Sequence, residues 1–269
     1  HVSTATGAIE RPLSFAGNDV PGVMLASAVR DYVVNYGVSP GDRTVLVTNN
    51  DNAYLTAIAL KHAGLEVPAV LDARVLPQDS QLVAQAKALG IRVLMGHAIS
   101  AVQGGKRVTG VAVCSQAGEG AVLEEIACDA VAMSGGWSPV VHLWSHCGGK
   151  LIWDTARACF RPDPDHPPTG ADGHGFVTCA GAAAGVFALD DVLHDAFAAA
   201  EGVATSLGLK LPREARSPVA ERREEAPLMP VWQMPQGAGV KLREKTFLDY
   251  QNDVKVSDVR LAAQEGFVS

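Results

Sequence analysis

Apolar and polar positions along this chain keep time in two periods, and each change of period marks an element. Met24, Leu25, Ala28, Val29, Tyr32, Val33 and Tyr36 recur at helical spacing, and Gly37 supplies the stop. The unbroken run Thr44-Val45-Leu46-Val47-Thr48 predicts a strand buried on both faces, as strands of parallel sheets are. A helix over 52–63 that ends at Gly64 and a strand over 66–71 complete a βαβ unit, whose crossover is expected to be right-handed. A further helix over 79–89 leads to a strand over 91–95. The rhythm then shortens. Segments 98–102, 108–115 and 122–128 predict an antiparallel meander with turns at Gly104-Gly105 and Gly118-Glu119-Gly120. Buried strands return over 129–134 and 175–179, and the second runs through Gly181 and Gly185 into an Ala-rich helix over 186–207. Thereafter Pro212, Pro218, Pro227, Pro230 and Pro235, with the mixed-sign run 221–225, predict an extended connector over 211–269.

The fold class that follows is α/β. The 27 glycines suit tight strand-to-helix turns, and aromatics at 6% leave the core to aliphatic layers. A net charge of −7 with no basic patch argues against a nucleic-acid partner. No run of about 18 apolar residues occurs, so no membrane span is expected. The cysteines, Cys114, Cys128, Cys147, Cys159 and Cys179, are odd in number and show no CxxC spacing. They fit buried thiols in a reducing cytoplasm, which is the location expected.

Two motifs share a form. Ala5-Thr6-Gly7-Ala8-Ile9-Glu10-Arg11-Pro12 ends a strand on a small residue and a glycine, where backbone can pass close to a dinucleotide. Met133-Ser134-Gly135-Gly136-Trp137-Ser138-Pro139 repeats the pattern. Either copy alone is equally a plain strand exit. Two copies bracketing a βαβ unit and a meander point to the chain crossings of a two-dinucleotide-binding (FAD/NAD(P)-binding, Rossmann-like) flavoprotein fold. The expected outer domain is 1–22 plus 131–210, and the inserted inner domain is 23–130. Gly181-Ala182-Ala183-Ala184-Gly185 would aim N–H groups and a positive helix end at a phosphate or flavin, or would serve close helix packing. Ala182 stands where an Asp often holds a flavin's ribityl chain, which leaves a simpler dinucleotide as the candidate there.

In the inner βαβ unit, Asn49, Asp51 and Tyr54 stand at the positions of the three fingerprint glycines. Asn49 tolerates left-handed angles. Asp51 sets a carboxylate against the pyrophosphate, and Tyr54 should wedge the helix from the strand. Asp72 lies where a ribose-binding acid belongs. His142, His146 and Cys147 have helical spacing but are too few for a zinc site, so no metal is expected. With no Ser-His-Asp elbow, Walker loop or paired carboxylates, no catalytic residue is assigned.

The run from Ala5 to Met24, the turn Thr48-Asn49-Asn50-Asp51-Asn52-Ala53-Tyr54, and Lys245 to Val254 followed by Ala262 to Phe267 resemble the alpha subunits of heterotetrameric sarcosine oxidases. The resemblance implies a segment of a complex carrying NAD, FAD and FMN. In it, FAD sits on the beta subunit and FMN at the alpha–beta interface, and gamma and delta subunits complete the assembly. It also implies a following folate-binding domain for tetrahydrofolate and a preceding Gly-rich loop that cradles pyrophosphate. Without those, the chain alone is expected to be inactive and to hold NAD weakly, with Thr6, Gly7, Gly135, Gly181 and Ala182 as the site's walls. Two rival readings are the alpha subunit of an amino-acid dehydrogenase or cyanide synthase, and a redox-silent scaffold that docks partner subunits. The absence of clustered cysteines and the Gln251-Asn252-Asp253-Val254 segment speak against the dehydrogenase.

Overall fold

The structure, a computed structural model, describes residues 1–75, 80–209, 217–221 and 225–268. The chain forms two compact units, His1–Glu10 with Trp137–Glu224 and Arg11–Gly136 with Glu225–Ser269. In chain order it runs through β1 (Val2–Thr4), β2 (Ala8–Glu10), β3 (Val23–Leu25), α1 (Ala26–Tyr36), β4 (Thr44–Thr48), α2 (Asn52–His62), β5 (Val70–Asp72), α3 (Gln81–Ala88) and β6 (Val93–Met95). It continues through β7 (His97–Gly104), β8 (Val108–Ser115), β9 (Glu124–Ala127), β10 (Ala130–Ser134), β11 (Trp137–Pro139) and α4 (His142–His146). It ends with β12 (Leu151–Asp154), β13 (Cys159–Pro162), β14 (Val177–Cys179), α5 (Leu189–Ser206), α6 (Val240–Arg243), β15 (Phe247–Asp249), β16 (Val254–Lys255) and α7 (Val256–Gln264).

The second unit is built on a parallel sheet in the order β3-β10-β4-β5-β6. Every residue of β4 and β10 is buried, as their unbroken apolar runs require of central strands. Alternation along β4 divides the core in two. Leu46 faces Tyr54, Ala57 and Leu60 of α2 and Leu82 and Val83 of α3. Val45 and Val47 face the other way, among Ile99, Val111 and Val113 of the antiparallel meander β7-β8-β9. Gly37 ends α1 in the left-handed region (φ 63°), and its N–H and that of Val38 take the Val33 and Tyr32 carbonyls. The Ser80 hydroxyl caps α3 by accepting the Val83 N–H at 3.3 Å. Asp79, where that helix was expected to begin, lies outside the described residues.

The boundaries differ from those expected. Residues 131–134 were assigned to the outer domain, yet β10 is hydrogen-bonded on both sides, to β4 and β3. Residues 11–22 also belong to this unit, because Leu13 and Phe15 are fully buried in its core. The stretch expected as a connector divides likewise. Residues 225–268 carry α6, β15, β16 and α7 within the second unit, while Pro212 and residues 222–224 lie outside the described residues.

In the first unit β1 and β14 pair in parallel, β2 pairs antiparallel with β11, and β12 and β13 form a hairpin. On that hairpin Trp153 and Phe160 meet edge to face at 5.0 Å. The Ala-rich helix begins at Leu189 and not at 186, because Gly181–Ala184 forms a separate 3-10 turn closed by left-handed Gly185 (φ 85°). Among the described residues, no helix is long and apolar enough to cross a membrane.

Candidate functional site

In an open parallel sheet, ligands bind beyond the carboxyl ends of the strands, where the winding direction reverses. Here that place lies between β4 and β10, since the chain leaves β4 toward β5 and β6 and returns to fill the position on its other side. The turn after β4 is wholly buried: Asn49 is 1% exposed, Asn50 7% and Asp51 1%. Asn50 ties the two strands, its Nδ2 donating to the Ser134 carbonyl at 3.2 Å and hydroxyl at 3.1 Å. Its Oδ1 accepts the N–H of Asn52, the first residue of α2, at 3.0 Å. Asn49 does not take up left-handed angles; among the described residues Ala158 and Asp253 are the non-glycine residues with positive φ. The turn therefore lacks the backbone path that the fingerprint glycines permit.

Asp51, Tyr54, Asp72 and Arg74 converge beside this turn. The Tyr54 hydroxyl donates to Asp72 Oδ2 at 2.8 Å. Arg74 reaches the same carboxylate with Nε (3.0 Å to Oδ1) and Nη2 (2.6 Å to Oδ2). Its Nη2 also lies 2.7 Å from Asp51 Oδ1, a charge contact without hydrogen-bond alignment. Burial, with the Asp72 charge behind it, drives the Tyr54 pKa far above its ordinary value. Burial works against the charge on Arg74, but the hydrogen bonds to Asp72 and the charges of Asp72 and Asp51 outweigh it and raise its pKa. Tyr54 was expected to wedge α2 away from the sheet. Instead it is fully buried and links α2 to the end of β5. Asp72 stands at that strand end as expected, but Arg74 and Tyr54 take both of its oxygens. Arg74 was missed in the sequence, where an Arg two residues after a strand-end Asp was the available signal.

A strap from the C-terminal part of the chain completes the closure. The Ala226 N–H donates to Asp51 Oδ2 at 2.7 Å, the Met229 N–H to the Asn49 carbonyl at 3.1 Å, and Asn49 Nδ2 to the Met229 carbonyl at 2.8 Å. No local pattern in the sequence announces these residues. An open cavity of about 700 Å³ lies elsewhere in this unit; Met229, Val231, Trp232, Val256, Val259 and Arg260 line it, and the Thr48–Asp51 turn does not.

The five residues named as outer-site walls are not all brought together. Gly135 belongs to the second unit, where a Cβ would sit 2.8 Å from the Pro12 carbonyl and 3.0 Å from that of Arg11. Close backbone packing therefore accounts for this glycine. Thr6, Gly7, Gly181 and Ala182 belong to the first unit. Thr6 is exposed and donates to the Val140 carbonyl at 2.8 Å. Gly7 has φ 77° and open space where a Cβ would stand. The Gly181 N–H, expected to await an anion, already donates to Asp195 Oδ2 of α5 at 2.6 Å. His142 and His146 form the ends of α4 and, with Cys147, are exposed.

No family model matches the chain. Over 98% of its length it is 37% identical to sarcosine oxidase subunit alpha of Rhizobium meliloti (strain 1021). Over its whole length it is 37% identical to that of Corynebacterium sp. (strain P-1). The chain matches a segment of sarcosine oxidase subunit alpha. It spans 24% and 27% of those two relatives, about a quarter of their length. L-proline dehydrogenase from P. horikoshii superposes with a TM-score of 0.61 over 99% of this chain and 46% of that one, at 18% identity. T. acidophilum thioredoxin reductase gives 0.53 over 78% and 64%, at 20% identity. The chain therefore has the two-dinucleotide-binding flavoprotein fold, and in its second unit the dinucleotide cleft does not fit a dinucleotide. A pyrophosphate there would meet Asp51 and backbone already bonded to the strap.

Proposed function

We propose that this chain is the nucleotide-binding portion of the alpha subunit of a multi-subunit sarcosine oxidase. The complex would demethylate sarcosine oxidatively with oxygen and tetrahydrofolate, giving glycine, methylene-tetrahydrofolate and peroxide. The observation that carries this reading is the 37% identity to two such alpha subunits kept over essentially the entire chain. In the complex, FAD belongs to the beta subunit, FMN to the alpha–beta interface, and tetrahydrofolate to a further domain of the alpha subunit. NAD belongs to the first unit, with Thr6, Gly7, Gly181 and Ala182 as walls. Because Asp195 occupies the Gly181 N–H, these walls serve the nucleoside and not the phosphates, and the chain alone holds NAD weakly. A scaffold role in docking the other subunits is the second reading, and the strap-filled cleft of the second unit favours it.

Two measurements test this. A complex purified with this chain should form peroxide when given sarcosine, and absence of sarcosine-dependent peroxide would overturn the assignment. Thermal melts of the 269-residue chain with and without millimolar NAD should nearly coincide. A ligand at about 100 times its Kd adds about 2.7 kcal/mol, so a clear upward shift would show that the walls bind NAD unaided.

A further inference from the structure

We infer that residues 226–236 are the resident occupant of the second unit's dinucleotide cleft, so that a piece of the chain has replaced the cofactor there. The inference rests on the reading above only in leaving NAD to the first unit.

Position is the first support. The strap is bonded to the turn after β4, at the switch point where a dinucleotide would lie, through Ala226 on Asp51 and Met229 on Asn49. Its bonds occupy the polar groups that this turn presents: the Asn49 carbonyl and amide and the Asp51 carboxylate. Charge is the second support. Two carboxylates, Asp51 and Asp72, face one guanidinium, Arg74, and all three are buried, at 1%, 0% and 3% exposure. An entering pyrophosphate would find that cation already engaged, with an anion beside it.

Packing is the third, and it separates a resident from a lid. Met234 is fully buried in the core beneath the sheet, and Met229 and Val231 pack against the same core. A Cβ on Gly136 would collide with the Leu228 side chain. The strap continues onto neighbouring backbone, the Met234 N–H donating to the Ser14 carbonyl at 2.7 Å and the Gln236 N–H to that of Gln116 at 2.8 Å. Lifting it would expose this apolar surface and strip the Asp51 and Asn49 groups of their partners.

Hydrogen exchange on the whole chain, with and without millimolar NAD, tests the inference. In the ligand-free protein the amides of Ala226, Met229 and Met234 should exchange at least about 100-fold more slowly than in an unfolded peptide, as amides released only by sub-global opening do. NAD should leave them unchanged. Ala226→Pro, which removes the donor to Asp51, should speed exchange at Met229 and Met234 while Val45 and Val47 stay protected. Unprotected strap amides in the ligand-free protein would overturn the inference, whatever the variant does. So would NAD-driven faster exchange in the strap together with new protection at 49–54. Protection by NAD confined to 4–7 and 177–185 supports both the inference and the first-unit reading. No effect of NAD anywhere agrees with the weak binding expected of the chain alone, and the ligand-free amides then decide the inference.

Discussion

Each unit sends a strand into a turn and then a helix, and in each the turn is held by one of the chain's own carboxylates. In the second unit Asp51, following β4, takes the Ala226 N–H. In the first, Asp195 of α5 takes the N–H of Gly181, following β14. The surroundings differ sharply. β4 is hydrogen-bonded on both sides and buried at every residue. β14 pairs with β1 alone among the described residues, and α5 has no buried residue along its 18. A carboxylate that is desolvated and paired with a cation becomes a structural element, since removing its partner leaves a buried charge. The same bond at a part-buried turn, with no cation among the described residues beside the carboxylate to be left unpaired, is worth little more than an ordinary cap.

The largest test of this contrast is Arg74→Ala. It leaves Asp51 and Asp72 buried without their cation and should cost about 3–5 kcal/mol in the second unit. Asp195→Ala in the first should cost about 1 kcal/mol. Urea titrations should follow the first unit through Trp137, Trp144 and Trp153 and the second through Trp232. Equal costs would remove the distinction. Next in size is the apolar counterpart. Leu46→Ala in β4 should cost about 2–5 kcal/mol, while Leu189→Ala in α5, where Leu189 is 64% exposed, should stay within about 0.5 kcal/mol.

The smallest effect sharpens the comparison through pH. Because the Tyr54 pKa is raised in the folded protein, its contribution is complete below the ordinary tyrosine value of about 10. Above that pH the unfolded chain ionises while folded Tyr54 does not, and stability falls by about 1.4 kcal/mol per pH unit. Tyr54→Phe should be about 1 kcal/mol less stable at neutral pH but should lose less between pH 10 and 11. Buried Cys114 and Cys128, both pushed up to about 11, steepen alkaline unfolding in the same direction in both proteins. The difference between the two curves therefore isolates Tyr54. Parallel curves would mean that its hydroxyl is not held by Asp72.

The odd inner turn was legible in the sequence: Asn49, Asp51 and Tyr54 in place of glycines already disfavoured a dinucleotide. What filled the space was not legible. Asp51 was read as an obstacle to phosphate, and its actual partners are Arg74, 23 positions on by the numbering, and Ala226, 175 residues away. Gly135 was read as a nucleotide wall because its motif matches that of Thr6-Gly7. The carbonyls of Arg11 and Pro12 are what require it, and no local motif records which backbone will pass close by.

The sequence by itself determined the local periods and stops: the buried runs of β4 and β10, the helices closed at Gly37 and Gly64, the meander after β6, and a resemblance to sarcosine oxidase alpha subunits. These are properties of neighbours a few residues apart, set by backbone sterics and the burial of one face. Only the tertiary structure decided that β10 belongs to the inner sheet, that Asp195 satisfies Gly181, and that Ala226 and Met229 bond to the turn after β4. Such pairings join residues that are distant along the chain, and they are chosen by which buried donors and acceptors must find partners once the core has closed.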